Sequence, residues 1–578
     1  MTKLYPIFTT RAECRDCYKC VRRCPVKAIR IENGVASVLP DRCVACGQCV
    51  RVCPTHAKRV RDDSLRFVEL CSDAEPLYVS LAPSWRGVLT EWSTSALVAA
   101  LKSLGVAEVS ETALGAQEVS AAVAEDLADA KDGVFISSAC PVVVDYICKY
   151  HPNEAQRVTK IASPALTHCA LLRKLFGENI KIAFIGPCAA KKNEADRRPD
   201  LLDVALTFDE LQRLFEEKGV SPNNFSDAKE TFVPENAMEG ALYPVEGGML
   251  ETIRRCGVDD RPLLQSTSGL QILGQSLEHL RSLGADRPVF IEALACPGGC
   301  VNGPCATRKS WLTASTGVLK HAELRPTEKR VPTTRVPVDF YAEPIDSDDV
   351  DAKAIQEALL RVGKTSPSDE LNCGGCGYDS CREFAKALAR GDAETSQCVS
   401  YMRYVATQKA NNLLRYMPAG VVIVNEKLEI VESNEAFARI FGSEILELYR
   451  LTSGLAGADV RTILPCASLF EAALQHGREI NRDSLRVDDL LLDLTFFTIE
   501  RGKSVGAIVR DVTATELDRE QIARRADEVI SRNVAVVQEI ASKLGEHLAD
   551  TQILLESIAQ CYRPKTTPVA SNGEEEKS

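Results

Sequence analysis

Two stretches near the N-terminus repeat one cysteine spacing. "CRDCYKCVRRCP" places Cys14, Cys17, Cys20 and Cys24 before Pro25, and "CVACGQCVRVCP" places Cys43, Cys46, Cys49 and Cys53 before Pro54. Both read C-x2-C-x2-C-x3-C-P. In this spacing the first three thiolates wrap one face of an iron–sulfur cube and the fourth reaches a neighbouring one. The doubled motif therefore predicts two [4Fe–4S] clusters, one on Cys14, Cys17, Cys20 and Cys53, the other on Cys43, Cys46, Cys49 and Cys24. Zinc is the competing metal, but its sites use two ligand pairs rather than quartets closed by Cys-Pro. Between the motifs, "AIRIENGVASVLP" predicts a hairpin turning at Asn33–Gly34. Residues 1–62 hold 13 Lys/Arg against 5 Asp/Glu. That surplus offsets anionic clusters, and it also suits a basic docking face for an acidic electron carrier.

The rest of the composition fits this redox reading. The chain has 578 residues, 23 of them cysteine, and a net charge of −12. A secreted disulfide protein would be short and would open on a signal peptide. This chain is long and starts "MTKLYPIFTTRAEC", without an apolar h-region. The cysteines are expected as thiolate ligands in a reducing, cytoplasmic compartment. No run of 18 apolar residues predicts a membrane span, and the net charge excludes a general nucleic-acid binder.

Residues 75–324 alternate strand-like and helical patterns. "PLYVSLAP", "KIAFIGPC" and "PVFIEALACPGG" read as buried strands, with helical stretches such as "STSALVAALKSLG" between them. Cysteines stand where such strands end: Cys140 in "SSACP", Cys188 in "GPCAAKKNEADR", and Cys296, Cys300 and Cys305 in "EALACPGGCVNGPC". This is α/β organisation with ligands at strand ends. The class expected for the chain is multidomain, α+β and α/β.

These three segments resemble the signature loops of the [FeFe]-hydrogenase catalytic domain, in order and spacing, over roughly residues 78–306. The resemblance implies that Cys140, Cys188, Cys296 and Cys300 hold the [4Fe–4S] part of an H-cluster. It further implies that Cys300 bridges to a diiron subsite carrying CO, cyanide (CN) and an azadithiolate. Lys191 falls on the lysine that hydrogen-bonds a cyanide, and Glu194 follows at the family offset. Glu194 has a second reading, as a solvated salt-bridging carboxylate. The departures are informative. Where the family has T-S-C-C-P this chain has S-S-A-C-P, so Ala139 replaces the proton-relay cysteine, and a methyl group carries no proton. The next relay position falls on Thr159, which keeps a hydroxyl. The family methionines fall on Leu294 and near Thr167, and the third loop ends Gly-Pro-Cys, with Cys305 read as an inert extra thiol. An intact H-cluster in an altered shell, turning over slowly, is the expectation.

After a Pro- and Asp-rich linker at 325–350, residues 351–405 place Cys373, Cys376, Cys381 and Cys398 at spacings x2, x4 and x16. They resemble a small [4Fe–4S] module, with structural zinc as the alternative. The remaining cysteines, Cys71, Cys148, Cys169, Cys256, Cys305, Cys466 and Cys561, read as ordinary core or surface positions. Residues 406–514 resemble a PAS domain. Two strands and a helix open it and two strands close it at Asp511-Val512-Thr513. Its only histidine is His476, so b-type haem is poorly supported. From 515 to 562 apolar residues recur at helical steps (Ile522, Val529, Val537, Ile540, Leu544, Leu548, Leu554, Ile558), as in a signalling helix or coiled coil. Residues 563–578 read as a disordered tail.

This domain order resembles sensory [FeFe]-hydrogenases. The resemblance implies a hydrogen sensor that slowly and reversibly cleaves H2 into protons and electrons. Its partners would be a ferredoxin or similar redox carrier, a separate signalling phosphatase or kinase, and a second copy of the chain in a homodimer. Two other readings stand beside it: a hydrogenase of bulk H2 metabolism, and a non-catalytic iron–sulfur scaffold.

Overall fold

The computed structural model describes residues 5–280, 286–306, 310–345, 350–452 and 454–561. The tail expected at 563–578 lies outside the described residues. Two compact units divide the chain, Met1–Arg403 and Tyr404–Ser578.

In the first unit both cysteine quartets fold alike. Each ends in one short helix, Lys19–Arg23 or Gln48–Val52, entered through a left-handed residue (Tyr18, Gly47) and capped at its C-terminus by the fourth cysteine, Cys24 or Cys53. Strand Ile7–Thr9 pairs antiparallel with Lys58–Val60, which ties the two ends of this segment together. The expected hairpin forms from Ile29–Glu32 and Val35–Val38. Asn33 and Gly34 both take positive φ, as a two-residue I′ turn requires.

The 351–405 segment packs on this hairpin. The buried Asp392 carboxylate accepts from Arg30 and Arg42, and its carbonyl accepts from Ile31 N–H. Ile29 and Ile31 share one apolar core with Leu359, Phe384 and Leu388. A segment this short is marginal on its own, and the hairpin adds apolar wall to its core.

The central part contains two parallel sheets. Strands Glu108–Glu111, Leu77–Leu81, Lys181–Gly186 and Val204–Thr207 lie side by side in that order. Leu263–Ser268, Val289–Leu294 and Val134–Ile136 form the second sheet. The three strands read from the sequence are present. Of the other four, Val134–Ile136 is the apolar run that leads to Cys140, while Glu108–Glu111, Val204–Thr207 and Leu263–Ser268 are too short or too polar to announce themselves. The segment expected as a linker is instead a strap on this domain. Val336 carbonyl accepts from Ala162 N–H, Val338 N–H donates to Lys160, and Glu343 N–H donates to Cys148.

The second unit holds a five-stranded antiparallel sheet. Ile430–Ser433, Gly420–Asn425, Ser504–Asp511, Leu490–Glu500 and Ile480–Val487 are neighbours in that order. Helices Glu435–Ile440 and Ala467–His476 contribute Phe437 and Phe470 to its core. This is the PAS arrangement. Strand Ile480–Val487 adds one to the four expected, because its polar run "INRDSLRV" hides it. Helix Thr513–Cys561 closes the described chain and spans about 70 Å.

Candidate functional site

Three loops leave the C-terminal ends of parallel strands from both sheets and converge. Ser137–Ala139 follow strand Val134–Ile136, and Cys140 caps the N-terminus of helix Pro141–Tyr150. Backbone N–H groups of Val142, Val143 and Ala295 point at its sulfur. Cys188 follows strand Lys181–Gly186 and receives N–H groups from Ala190 and Lys191. Cys296 and Cys300 follow strand Val289–Leu294. Here Gly299 takes φ +102 and lies against the Pro244 carbonyl, where a Cβ would sit 2.3 Å from the oxygen. Only glycine lets the backbone pass this close.

The four thiols form one electrostatic group. Burial holds Cys188 up at about 11, and Cys140 pushes it further. Burial also raises Cys300, with Cys140 and Cys188 adding to it. Cys296 is raised by burial and then by Cys188, Cys300 and Cys140. Every pair among the four is thus coupled. Only a strongly cationic partner makes such a buried set of thiolates tolerable. Among the described residues no three His, Cys, Asp or Glu side chains close on a point that would hold a single ion. A cube of four irons takes one thiolate on each iron, so its ligands stand further apart. The donor set fits a cluster.

Beside the thiols lies a cavity of about 100 Å³, its wall including Ala139, Cys140, Cys188, Lys191, Met249, Glu292, Leu294 and Cys300. Lys191 is buried. Its ammonium donates to Ser163 Oγ at 2.9 Å and pairs with Glu194. It sits 5.8 Å from the centre of the Phe184 ring and pulls down the Cys140, Cys188 and Cys300 thiols.

Comparison with known families agrees with this geometry. Residues 75–304 match the model for the iron only hydrogenase large subunit, C-terminal domain. Residues 75–304 are an iron-only hydrogenase large-subunit domain. Residues 6–54 match a 4Fe-4S dicluster domain and residues 369–400 a putative Fe-S cluster family. Among curated relatives, iron hydrogenase 1 of Clostridium pasteurianum is 23% identical over 281 residues, covering 39% of this chain and 49% of that protein. This chain thus spans about half the length of that relative. The periplasmic [Fe] hydrogenase large subunit of Nitratidesulfovibrio vulgaris is 25% identical over 365 residues, covering 52% of this chain and 86% of that one. Among solved structures, an [FeFe]-hydrogenase from Chlamydomonas reinhardtii overlaps 49% of this chain and 100% of its own at 16% identity and TM-score 0.39.

Within the hydrogenase domain most of the expected residues meet. Cys140, Cys188, Cys300, Lys191 and Ala139 line one cavity, and Cys296, outside its wall, is coupled electrostatically to the three thiols. Glu194 is the ion-pair partner of Lys191. Thr159 is not in the cavity wall. Its hydroxyl lies 3.0 Å from Ser138 Oγ and accepts from Ser138 N–H, one residue before Ala139. Cys305 is buried near Cys188 and held protonated by that burial.

Two residues of the cavity, Met249 and Glu292, are not among the site residues expected from the sequence. Met249 reaches the wall from helix Gly248–Arg255, and its sulfur accepts from Ser137 Oγ at 3.1 Å. A thioether thus arrives from an element outside the three loops, while the loop position holds Leu294. Glu292, buried within the strand before Cys296, accepts Gly247 N–H at 2.7 Å and Met249 N–H at 3.1 Å. A lone acidic residue inside an apolar strand was the available clue.

Cysteines of the other quartets also gather. Cys24 acts on Cys43, Cys46 and Cys49 although it belongs to the first motif, as the crossed pattern requires. Cys14 and Cys17 act on Cys20. Cys373, Cys376, Cys381 and Cys398 line one small cavity. The sites are linked in space: Cys46 acts on Cys296, and Arg22 bridges the carbonyls of Cys17 and Gly375.

Proposed function

We propose that the chain is a sensory [FeFe]-hydrogenase that binds H2 and cleaves it slowly and reversibly into two protons and two electrons. Cys140, Cys188, Cys296 and Cys300 would hold the cubane of the H-cluster, and Cys300 would bridge to the diiron group. That group, when bound, supplies the centre at which H2 is split. Lys191 offers a fixed cationic donor to an anionic diatomic ligand, and Glu194 and Ser163 hold the ammonium in place. Cys14, Cys17, Cys20 and Cys53, then Cys24, Cys43, Cys46 and Cys49, then Cys373, Cys376, Cys381 and Cys398, would each carry a [4Fe–4S] cluster.

The observation that carries the reading is the cavity wall. It joins the thiols and Lys191 to a methyl group, Ala139, where a proton carrier is needed for fast turnover. Slow chemistry suits detection better than bulk metabolism. The three accessory quartets give electrons a route from the cavity toward the small module. The helix after Cys398 runs from Val399 to Tyr416, across the point at which the chain divides into its two units. We assign the PAS domain and the helix Thr513–Cys561 to output, through a homodimer and a separate phosphatase or kinase. A chain whose cysteines serve mostly as iron ligands suits a reducing compartment such as the cytoplasm. No helix among the described residues is long and apolar enough to cross a membrane.

Infrared spectroscopy of the matured protein tests the centre, and steady-state H2 oxidation tests the role. Bands for bound CO and cyanide with slow turnover are expected. Cluster-bound iron without those bands would favour a scaffold, and fast turnover would favour a metabolic enzyme.

A further inference from the structure

Four lysines are buried among the described residues: Lys58, Lys191, Lys192 and Lys364. A buried ammonium is costly unless an opposite charge faces it. Lys191 pairs with Glu194, and Lys192 with Asp63 and Glu210. Lys58 and Lys364 form no ion pair with a carboxylate among the described residues. Lys58, 2% exposed, donates only to neutral oxygens, Thr9 Oγ1 at 2.7 Å and Ala36 carbonyl at 2.6 Å. Lys364 donates to the Asp369 carbonyl at 2.6 Å.

Their placement says what anion they face. The Lys58 charge acts on Cys20 of one ferredoxin-type quartet and on Cys49 of the other, and its own N–H points at Cys53. Lys364 lines the cavity formed by Cys373, Cys376, Cys381 and Cys398. Each buried, uncompensated cation thus stands beside thiols that become anionic when they hold iron.

We propose that Lys58 and Lys364 are the internal counter-ions of the accessory iron–sulfur clusters, with Lys58 shared by the two ferredoxin-type clusters and Lys364 serving the third. A fixed positive charge favours the reduced, more anionic cluster and so raises its reduction potential. One cation held between two clusters moves both potentials together. This inference rests on the cluster assignment of the proposed function, and not on its hydrogen chemistry.

Potentiometric titration of the full-length, iron-reconstituted protein, followed by electron paramagnetic resonance, separates the two. Lys58→Gln keeps donors for Thr9 and Ala36 but removes the charge. It should lower both ferredoxin-type midpoints and leave the third in place. Lys364→Gln should do the reverse, and Lys58→Arg should restore the native values. Unshifted midpoints in a fully loaded Lys58→Gln protein, or a shift in one ferredoxin-type cluster alone, overturn the inference. If Lys58→Gln fails to load iron while Lys58→Arg loads normally, the charge requirement stands. If both fail, Lys58 is a packing residue and the inference falls. Absence of [4Fe–4S] signals in the reduced wild-type protein would instead remove the cluster assignment itself.

Discussion

Gly47 of the second ferredoxin-type motif lies against Pro304 of the hydrogenase domain, so close that a Cβ on Gly47 would sit 2.4 Å from the proline Cβ. Gly47 also takes φ +74. Arg51 reinforces the contact by donating to the carbonyl and side-chain oxygen of Asn302. This junction places Cys46 within electrostatic reach of Cys296. Gly47→Ala therefore meets both a backbone penalty and a clash, and should lower stability by about 1–3 kcal/mol. If the junction is the electron route, H2-driven reduction of the accessory clusters should slow as well. Thermal melts and rapid-mixing spectroscopy check the two effects. A variant with native stability and native reduction kinetics would refute the close junction.

Ala139 lines the cavity shared by Lys191, Cys300 and Glu292. Ala139→Cys adds a thiol in that wall and leaves Cys140 in place. A positioned proton carrier contributes typically about 10²–10⁴-fold to a proton-transfer step, so turnover should rise at least about tenfold. Steady-state H2 oxidation, normalised to infrared-active protein, is the measurement. An unchanged rate in loaded protein would mean that another group limits proton flow.

The grouping of the cysteines in space was legible because metal-binding motifs impose spacing on the chain. Even the crossed role of Cys24 follows from the turn after Cys20. Lys191 was legible from its place three residues after Cys188. Met249 was not, because it reaches the cavity by tertiary packing from helix Gly248–Arg255, and Glu292, though inside the third loop's own segment, shows its role only once the Gly247 and Met249 N–H groups close on it. The strap within 325–345 was hidden for a related reason. Its prolines and charges read as linker, while Val336 and Val338 are held by backbone groups far away in sequence. Asp392 likewise looks like a loop residue until Arg30 and Arg42 close on it.

Helix Thr513–Cys561 exposes Val537, Ile540, Leu544 and Leu548, which recur at three- and four-residue steps along one face. Apolar residues so spaced are best covered by another helix. A second copy of the chain supplies one with the same face. Leu544→Asp puts a charge in the middle of that face and should convert a dimer to a monomer in light scattering, with the PAS fold unchanged. A persistent dimer would move the interface elsewhere.

Glu292 gives a pH dependence with a definite sign. Its carboxyl is pushed up to about 7, first by burial and then by Glu246, while the N–H groups of Met249 and Gly247 pull it down. In the unfolded chain the same group ionises near 4.5. Between these values the folded protein holds a proton that the unfolded chain has lost. Stability from this group is thus full below about pH 4.5, declines as pH rises through about 7, and is flat above. A shift of this size corresponds to something on the order of 3 kcal/mol. Glu292→Gln cannot ionise. Like the protonated acid, it offers one carbonyl oxygen to the helix N–H groups at every pH, so this position adds no slope to the variant's stability. The difference in unfolding free energy, variant minus wild type, should therefore move in favour of the variant as pH rises from 5 to 8. Denaturant unfolding of both anaerobic proteins at those two pH values measures it. A difference that stays constant would place the Glu292 proton outside the folding equilibrium and return its pKa to the ordinary carboxylate range.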